Sequence, residues 1–403
     1  MFSPLSRKPP KAKSSRKQVR KQKPAGSGSG FGSAPVKSVH PPVFPETVNP
    51  SRRIAVVDEE PDRLGSAKVV RGLTRRAVLA TPVALSDQER YDLNRQAARQ
   101  TLDQIYDQYY DAATGLKRPP GALQKSIYNL MGKAPSDYAK VPITDLQWRA
   151  FKAQPNATVV SQGVGNARQE WERYWHELAR YRSSWDRFNP FAAAPTPPAG
   201  PEDNEQAILR GDYFRVHNQN GDSSNKKRRM RRIIVNVNSQ EAGLRVARAL
   251  NGLFTDPVTA KHFWQYKIYL SRKPGMAGRP IKHDKLVLYY GLADPDDTSS
   301  DPVGDKIVDA IDRAIRPEDV GEGFAPFYSR ISPGIAWAEE PKAFVSALKR
   351  SFTRTRAEII AEVVRTHPHI DDKDEFERLV YAALEQARVD PERPHRHLAE
   401  VIE

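Results

Sequence analysis

From residue 86 onward, apolar residues recur at helical spacing. In SDQERYDLNRQAARQTLDQIYDQYYDAA they are Tyr91, Leu93, Ala98, Leu102, Ile105, Tyr106 and Tyr109, mostly three or four apart, as one buried helix face requires. Ser86 followed three residues later by Glu89 is a capping-box pattern, so a helix is predicted to start there. The tyrosine-rich stripe reads as helix–helix core rather than a ligand box. ALQKSIYNLMGKA (122–134) predicts a second helix. NARQEWERYWHELARYRSSWDRF (166–188) predicts a third, with Trp171, Tyr174, Trp175, Leu178 and Tyr181 on one broad face. Together they predict an N-terminal helical domain over 86–190.

The stretch FNPFAAAPTPPAGPEDNE (188–205) is rich in Pro, Ala and Gly and cannot continue a helix. Residues 191–205 are therefore expected to be a linker. Beyond it the period changes to two. YFRVHNQ puts Arg215, His217 and Tyr213 on one face and Phe214 and Val216 on the other. RRIIVNVNS separates Ile233, Val235 and Val237 from Arg232, Ile234 and Asn236. WQYKIYLS separates Tyr266, Ile268 and Leu270 from Gln265, Lys267 and Tyr269. DKLVLYYGL (284–292) is a further strand, and helices are predicted over 240–254, 304–315, 340–366 and 373–388. Pro333-Gly334 marks a turn. The fold class expected is α+β: a helical domain, then a mainly antiparallel sheet with packed helices over 206–390.

Composition narrows the chemistry. The 403 residues include no cysteine, which excludes disulfides, cysteine–zinc sites and thiol nucleophiles. The nine histidines show no HExxH or similar spacing, so no metal site is expected. No apolar run reaches membrane-spanning length, and the first residues hold no apolar signal core. Residues 1–50 carry ten Lys or Arg against the single acid Glu46, which is nine of the formal net charge of +15. With so few apolar groups, residues 1–60 are expected to be a disordered basic tail. Its roles as a tether to nucleic acid or acidic membrane, a targeting segment or a solubilising arm stay open. No aromatic residues are interleaved with its charges to stack on bases, so nothing beyond weak nucleic-acid binding by the tail is expected.

Three stretches point to chemistry. Arg215 and His217 lie two apart on one strand face; the plainer reading is a solvent-facing pair on an edge strand. Lys267 stands in an aromatic and aliphatic strand, where a charge is normally avoided. Burial there would lower its pKa and let a neutral amine act as a base, whereas snorkelling to a sheet edge would leave it inert. Arg279, Arg354 and Arg356 are candidate phosphate clamps, because a guanidinium fork matches phosphate oxygens. In SFTRTRAEIIAEVVRTH, Arg356 falls near the apolar stripe and Arg354 points outward. No P-loop and no serine nucleophile elbow is present.

The order YFRV, RIIVNV, YKIYL, DKLVLYY, FAPFYSRISPGIAWAEEP and SFTRTR resembles the HopA-type family of type III effectors, whose related lyase domains occur in class V lanthipeptide biosynthesis. The resemblance covers about residues 205–365, and its most specific element is the SPGIAWAEEP segment followed by SFTRTR. It implies a phosphothreonine-lyase-like fold and elimination of phosphate from phosphothreonine or phosphoserine without a metal or organic cofactor. In those lyases a Lys-x-His strand pair supplies base and acid. Here the pair is Arg215-x-His217, and arginine does not deprotonate usefully. The resemblance therefore implies Lys267 as base and His217 as acid or phosphate ligand, with Arg215, Arg279, Arg354 and Arg356 holding phosphate. The substrate implied is a phosphorylated peptide or protein. A secretion chaperone or a biosynthetic subunit is the implied partner. The location implied is the bacterial cytoplasm or, after export, a host cell. The alternative is a non-catalytic effector, or an interaction protein binding phosphopeptide or polyanion.

Overall fold

The structure, a computed structural model, describes residues 86–119, 123–185, 193–199, 203–222, 229–275, 278, 280–321, 323–345, 348 and 350–398. The expected basic tail (1–60) and Arg279 lie outside these residues. Helix α1 (Asp87–Tyr109) starts at the Ser86–Glu89 capping box: the Glu89 amide donates to Ser86 Oγ at 3.2 Å and the Ser86 amide to Glu89 Oε2 at 2.8 Å. Its buried face is Ala98, Leu102, Ile105, Tyr106 and Tyr109. Helix α2 (Leu123–Gly132) leads into β1 (Lys133–Pro135), and α3 (Asp145–Lys152) buries Trp148 and Phe151. Strand β2 (Ala157–Ser161) then runs directly into α4 (Gln162–Trp185). The periodicity did not signal β2, which is short and only partly buried.

After α5 (Asn204–Arg210) come β3 (Asp212–Asn218), β4 (Met230–Val235), β5 (Phe263–Leu270), β6 (Pro280–Lys282) and β7 (Leu286–Gly291), all but the three-residue β6 where the period-two pattern required a strand. Helix α6 (Gln240–Gly252) falls between β4 and β5, and α7 (Pro302–Ala314) follows β7. Strands β8 (Ser329–Ser332) and β9 (Ile335–Glu339) flank the Pro333-Gly334 turn. Gly334 has φ +78°, and a Cβ there would come within 2.9 Å of the Asn236 carbonyl, so both backbone angle and space favour glycine. The helix expected over 340–366 is two pieces, α8 (Pro341–Phe344) and α9 (Phe352–Thr366). Val345 and Ser351 have extended backbone angles, which ends one helix and begins the next. Helix α10 (Lys373–Gln386) closes the set.

Seven strands form one antiparallel sheet in the order β2-β3-β5-β7-β4-β9-β8, and β1 pairs with β6 in a separate ribbon. One face, carrying Phe214, Val216, Tyr266, Ile268, Leu288 and Val235, packs against Val246 and Leu250 of α6 and Ile307 and Ile311 of α7. On the other face Val287, Ile234, Ala336 and Ala338 lie under α1, α2, α9 and α10, in a core with Tyr106, Phe352, Ile360 and Phe376. That cover stops short of much of β3 and β5, whose residues on this face, the buried Tyr213 apart, are only partly buried or exposed. The half-covered sheet creates the candidate site.

The helical stretch is not a body of its own. Strand β2, from within 86–190, is the sheet's edge, and α1 packs on α10 and α2 on α9. The described residues all fall within one compact unit. A Pro-rich composition signals where a helix must stop, not where a core ends.

Candidate functional site

The open half of the sheet face brings three expected residues together. Arg215 on β3 is the register partner of Lys267 on β5, and His217 is the partner of Gln265. Because side chains alternate across a strand, Arg215, His217, Lys267 and Gln265 share one face. Arg215 is exposed and His217 half-buried, while the Lys267 side chain is 13% exposed. The next strand, β7, sets Val287 beside Lys267 and Tyr289 beside Gln265.

Lys267 sits in an aromatic and charged enclosure. Its ammonium lies 4.9 Å from the Tyr213 ring centroid and 4.0 Å from the Asp284 carboxylate. The Tyr213 ring is fixed from both ends: its hydroxyl donates to the Asp284 carbonyl at 3.0 Å, and the ring meets Tyr269 edge-on at 5.4 Å. Lys282 shares this ring at 5.3 Å and donates to the Tyr128 hydroxyl at 3.0 Å. Burial pushes the Lys267 pKa down to about 8; Asp284 opposes the shift, and Lys282 and Arg232 add to it. Stripped of much of its hydration, the amine is neutral for a usable fraction of the time near neutral pH. Lys282 behaves oppositely: burial works against its charge, but Asp284 and the Tyr128 phenol outweigh it and its pKa rises. Lys285 donates to the Lys282 carbonyl at 2.5 Å, and burial lowers its pKa to about 8.

Arg232 adds a further cation on the covered side of the face. It is 3% exposed, is paired with the Glu340 carboxylate, and donates to the Tyr328 hydroxyl at 3.2 Å. Its ion pair commits it to the protein rather than to a ligand.

The remaining expected phosphate ligands lie elsewhere. Arg354 is on the solvent side of α9, where it pairs with Glu358 at 3.1 Å. Arg356 is wholly buried, stacked on Phe352 at 3.8 Å and donating to the Pro394 carbonyl at 2.8 Å, with His397 Nε2 at 3.4 Å. It makes no ion pair with a carboxylate among the described residues, and burial pushes its pKa down to about 9. Its role is to hold the segment after α10 against α9. The apolar stripe correctly placed Arg356 inward, but the partner is a carbonyl and an imidazole, not a phosphate.

Residue-by-residue reading missed Asp284, Lys282, Tyr213 and Tyr128. They come from two strands, a loop and a helix far apart in sequence: β3 pairs with β5 and brings Tyr213, while β6, which carries Lys282, pairs with the strand that directly follows Tyr128's helix. The cluster of charges Lys282, Asp284 and Lys285 just ahead of the apolar run LVLYY was the available signal. A groove of about 640 Å³ between α1 and α10, lined by Arg95, Arg99, Asp374, Glu377 and Tyr381, and a smaller one of about 290 Å³ between α3 and α6, do not touch Lys267. The candidate site is an open sheet face apart from these two grooves. Among the described residues no cluster of three or more His, Asp or Glu could hold a metal ion, and no helix is long and apolar enough to cross a membrane.

Residues 204–396 match the HopA1 effector protein family. The matched span passes the expected 205–365 to include α10 and the segment that Arg356 holds. Two solved structures are similar to the chain. One is the effector protein from Pseudomonas syringae pv. tomato strain DC3000, 16% identical, with a TM-score of 0.47, covering 76% of this chain and 100% of that one. The other is the effector protein from Pseudomonas syringae pv. syringae strain 61, also 16% identical with a TM-score of 0.47, covering 77% of this chain and 99% of that one. No curated protein matches.

Proposed function

Starting from a chain whose residues 204–396 match the HopA1 effector protein family, we propose that the open face around Lys267 eliminates phosphate from phosphorylated serine or threonine in a protein or peptide. The observation that carries this reading is a mostly buried amine, lowered to about 8, directly across the sheet from an exposed arginine. In the proposed reaction Lys267 Nζ takes the Cα proton. The C–H electron pair becomes the Cα=Cβ bond, and the Cβ–O bond breaks. His217 gives a proton to the departing bridging oxygen. Arg215 holds the phosphate oxygens, whose charge grows as the bond breaks. Arg279, which immediately precedes β6, is proposed as a second phosphate ligand. Arg354 and Arg356 have no part in this scheme, one facing solvent and the other sealed in the core. In this reading the protein is a type III effector that acts on host phosphoproteins.

A second reading keeps the site as a binder. The proton on Lys267 is stabilised by Asp284, and the exposed Arg215 alone would attract a phosphopeptide. Incubation with a phosphothreonine peptide separates the two. Elimination removes the mass of phosphoric acid and leaves a conjugated alkene visible by absorbance, and Lys267→Met abolishes it. Intact peptide bound with Arg215-dependent affinity sinks the lyase and leaves the binder.

A further inference from the structure

Two ammonium groups share one aromatic ring beside the proposed base. Lys267 and Lys282 lie 4.9 and 5.3 Å from the Tyr213 ring centroid. They differ in what else holds them. Lys282 donates to the Tyr128 hydroxyl at 3.0 Å and is carried by the β1–β6 ribbon. Lys267 has no such acceptor among the described residues, only the Asp284 carboxylate at 4.0 Å. When two like charges crowd a partly buried place, the one with the better hydrogen bond keeps its proton and the other yields. The charged and titratable groups around Lys267 are Asp284, Lys282, Arg232 and the phenols of Tyr128 and Tyr213, with Arg215 across the sheet.

We propose that Lys282, anchored by Tyr128, is a positioning residue that disfavours the charged form of the Lys267 amine and so enlarges its neutral, proton-accepting fraction. Lys282 touches no reacting atom in this scheme. It stays charged through its hydrogen bond to Tyr128 and through Asp284, and so makes a second charge at Lys267 costly. Asp284 pulls the other way, and the balance sets the amine. This deepens the proposed role of Lys267, yet concerns the amine itself and not turnover.

The test reads the amine directly. Peptide-resolved mass spectrometry follows acylation of Lys267 by acetic anhydride across pH, in the full chain and without substrate. In Lys282→Gln the labelling midpoint should rise by about one unit, slowing the reaction at neutral pH roughly ten-fold. Lys282→Arg should keep the original midpoint. Tyr128→Phe, which frees the Lys282 ammonium, should raise it part of the way, and it decides the matter if Lys282→Gln does not fold. An unchanged midpoint in folded Lys282→Gln, or in Tyr128→Phe when that variant decides, overturns the proposal. Because labelling needs no elimination chemistry, the result stands whether or not the protein proves to be a lyase.

Discussion

Arg215 stands directly opposite Lys267 in the β3–β5 register, yet the arginine is exposed and the lysine largely buried. Depth sorts the two cations into different tasks. The exposed guanidinium offers a fork that suits phosphate oxygens, whereas the buried amine can give up its proton. Lys267→Arg, which keeps the charge but not the base, should lower the elimination rate by about 10²- to 10⁴-fold while retaining phosphopeptide affinity. Arg215→Gln should do the reverse, weakening binding with a smaller change in turnover. Equilibrium binding measured beside single-turnover rates checks both.

The pH profile should follow the Lys267 amine. Its folded pKa is depressed to about 8, so the neutral base gains population as pH rises through that value. The rate should climb with an inflection near 8 on the acid limb. The same shift has a stability sign. Between about 8 and the ordinary lysine range the unfolded chain binds more protons than the folded one, so this group makes the fold more stable as pH rises across that window. A Lys267→Met variant, in which elimination is abolished, should also lose this part of the stability slope, read by thermal melts across pH.

Asp284 opposes the shift at Lys267, so removing its charge should exaggerate the shift. Asp284→Asn is expected to move the acylation midpoint of Lys267 to lower pH and to extend elimination into more acidic solution. An upward movement would show that the carboxylate acts by positioning the amine rather than by stabilising its proton.

Much of this face was legible before any fold. Alternation alone put Arg215, His217 and Lys267 on one side of their strands, because a strand has a period of two whatever it packs against. What alternation does not encode is which strands become neighbours and what covers them. Arg354 and Arg356 differ by two positions on one helix, and the fold sends one to solvent and the other to a core built with Pro394 and His397. Lys282 lay just before the predicted strand 284–292 and Asp284 at its start, and the fold sets both in the Lys267 enclosure, Lys282 on the Tyr213 ring and Asp284 4.0 Å from the ammonium. The strand β2 escaped notice because an edge strand half open to solvent needs only a weak apolar pattern.

The buried pair Arg231–Asp301 should be the fold's most sensitive polar contact. The two meet at 2.9 Å, each almost fully buried, and Asp301 also accepts from Tyr290 at 2.6 Å and caps α7 through the Gly304 amide at 2.8 Å. Asp301→Ala strands a buried guanidinium and removes a cap, so it should cost about 3–5 kcal/mol. Asp301→Asn keeps the cap geometry but loses the charge, and should cost less. Urea unfolding of both variants orders them.

The segment after α10 should make the fold acid-sensitive through histidine. His397 is held beside Arg356, and its amide donates to Glu339 Oε2 at 2.8 Å. Burial, with Arg356 adding to it, pushes the His397 pKa down to about 3, while His395, stacked edge-on against Trp337 at 4.9 Å, is also driven well below the ordinary range by burial. The unfolded chain takes up these protons near pH 6.5, whereas folded His397 does so only near 3 and folded His395 well below the ordinary range, so below about pH 6.5 the unfolded state binds more protons and stability falls as pH falls. Glu339, whose carboxyl is raised by burial, works in the opposite sense in the carboxylate range and softens the loss there. His397→Gln, which can still meet Arg356 with a carbonyl oxygen, should flatten the decline between about pH 6.5 and 4. Parallel slopes for the variant and the unaltered chain, measured by urea midpoint at each pH, would place the acid sensitivity elsewhere.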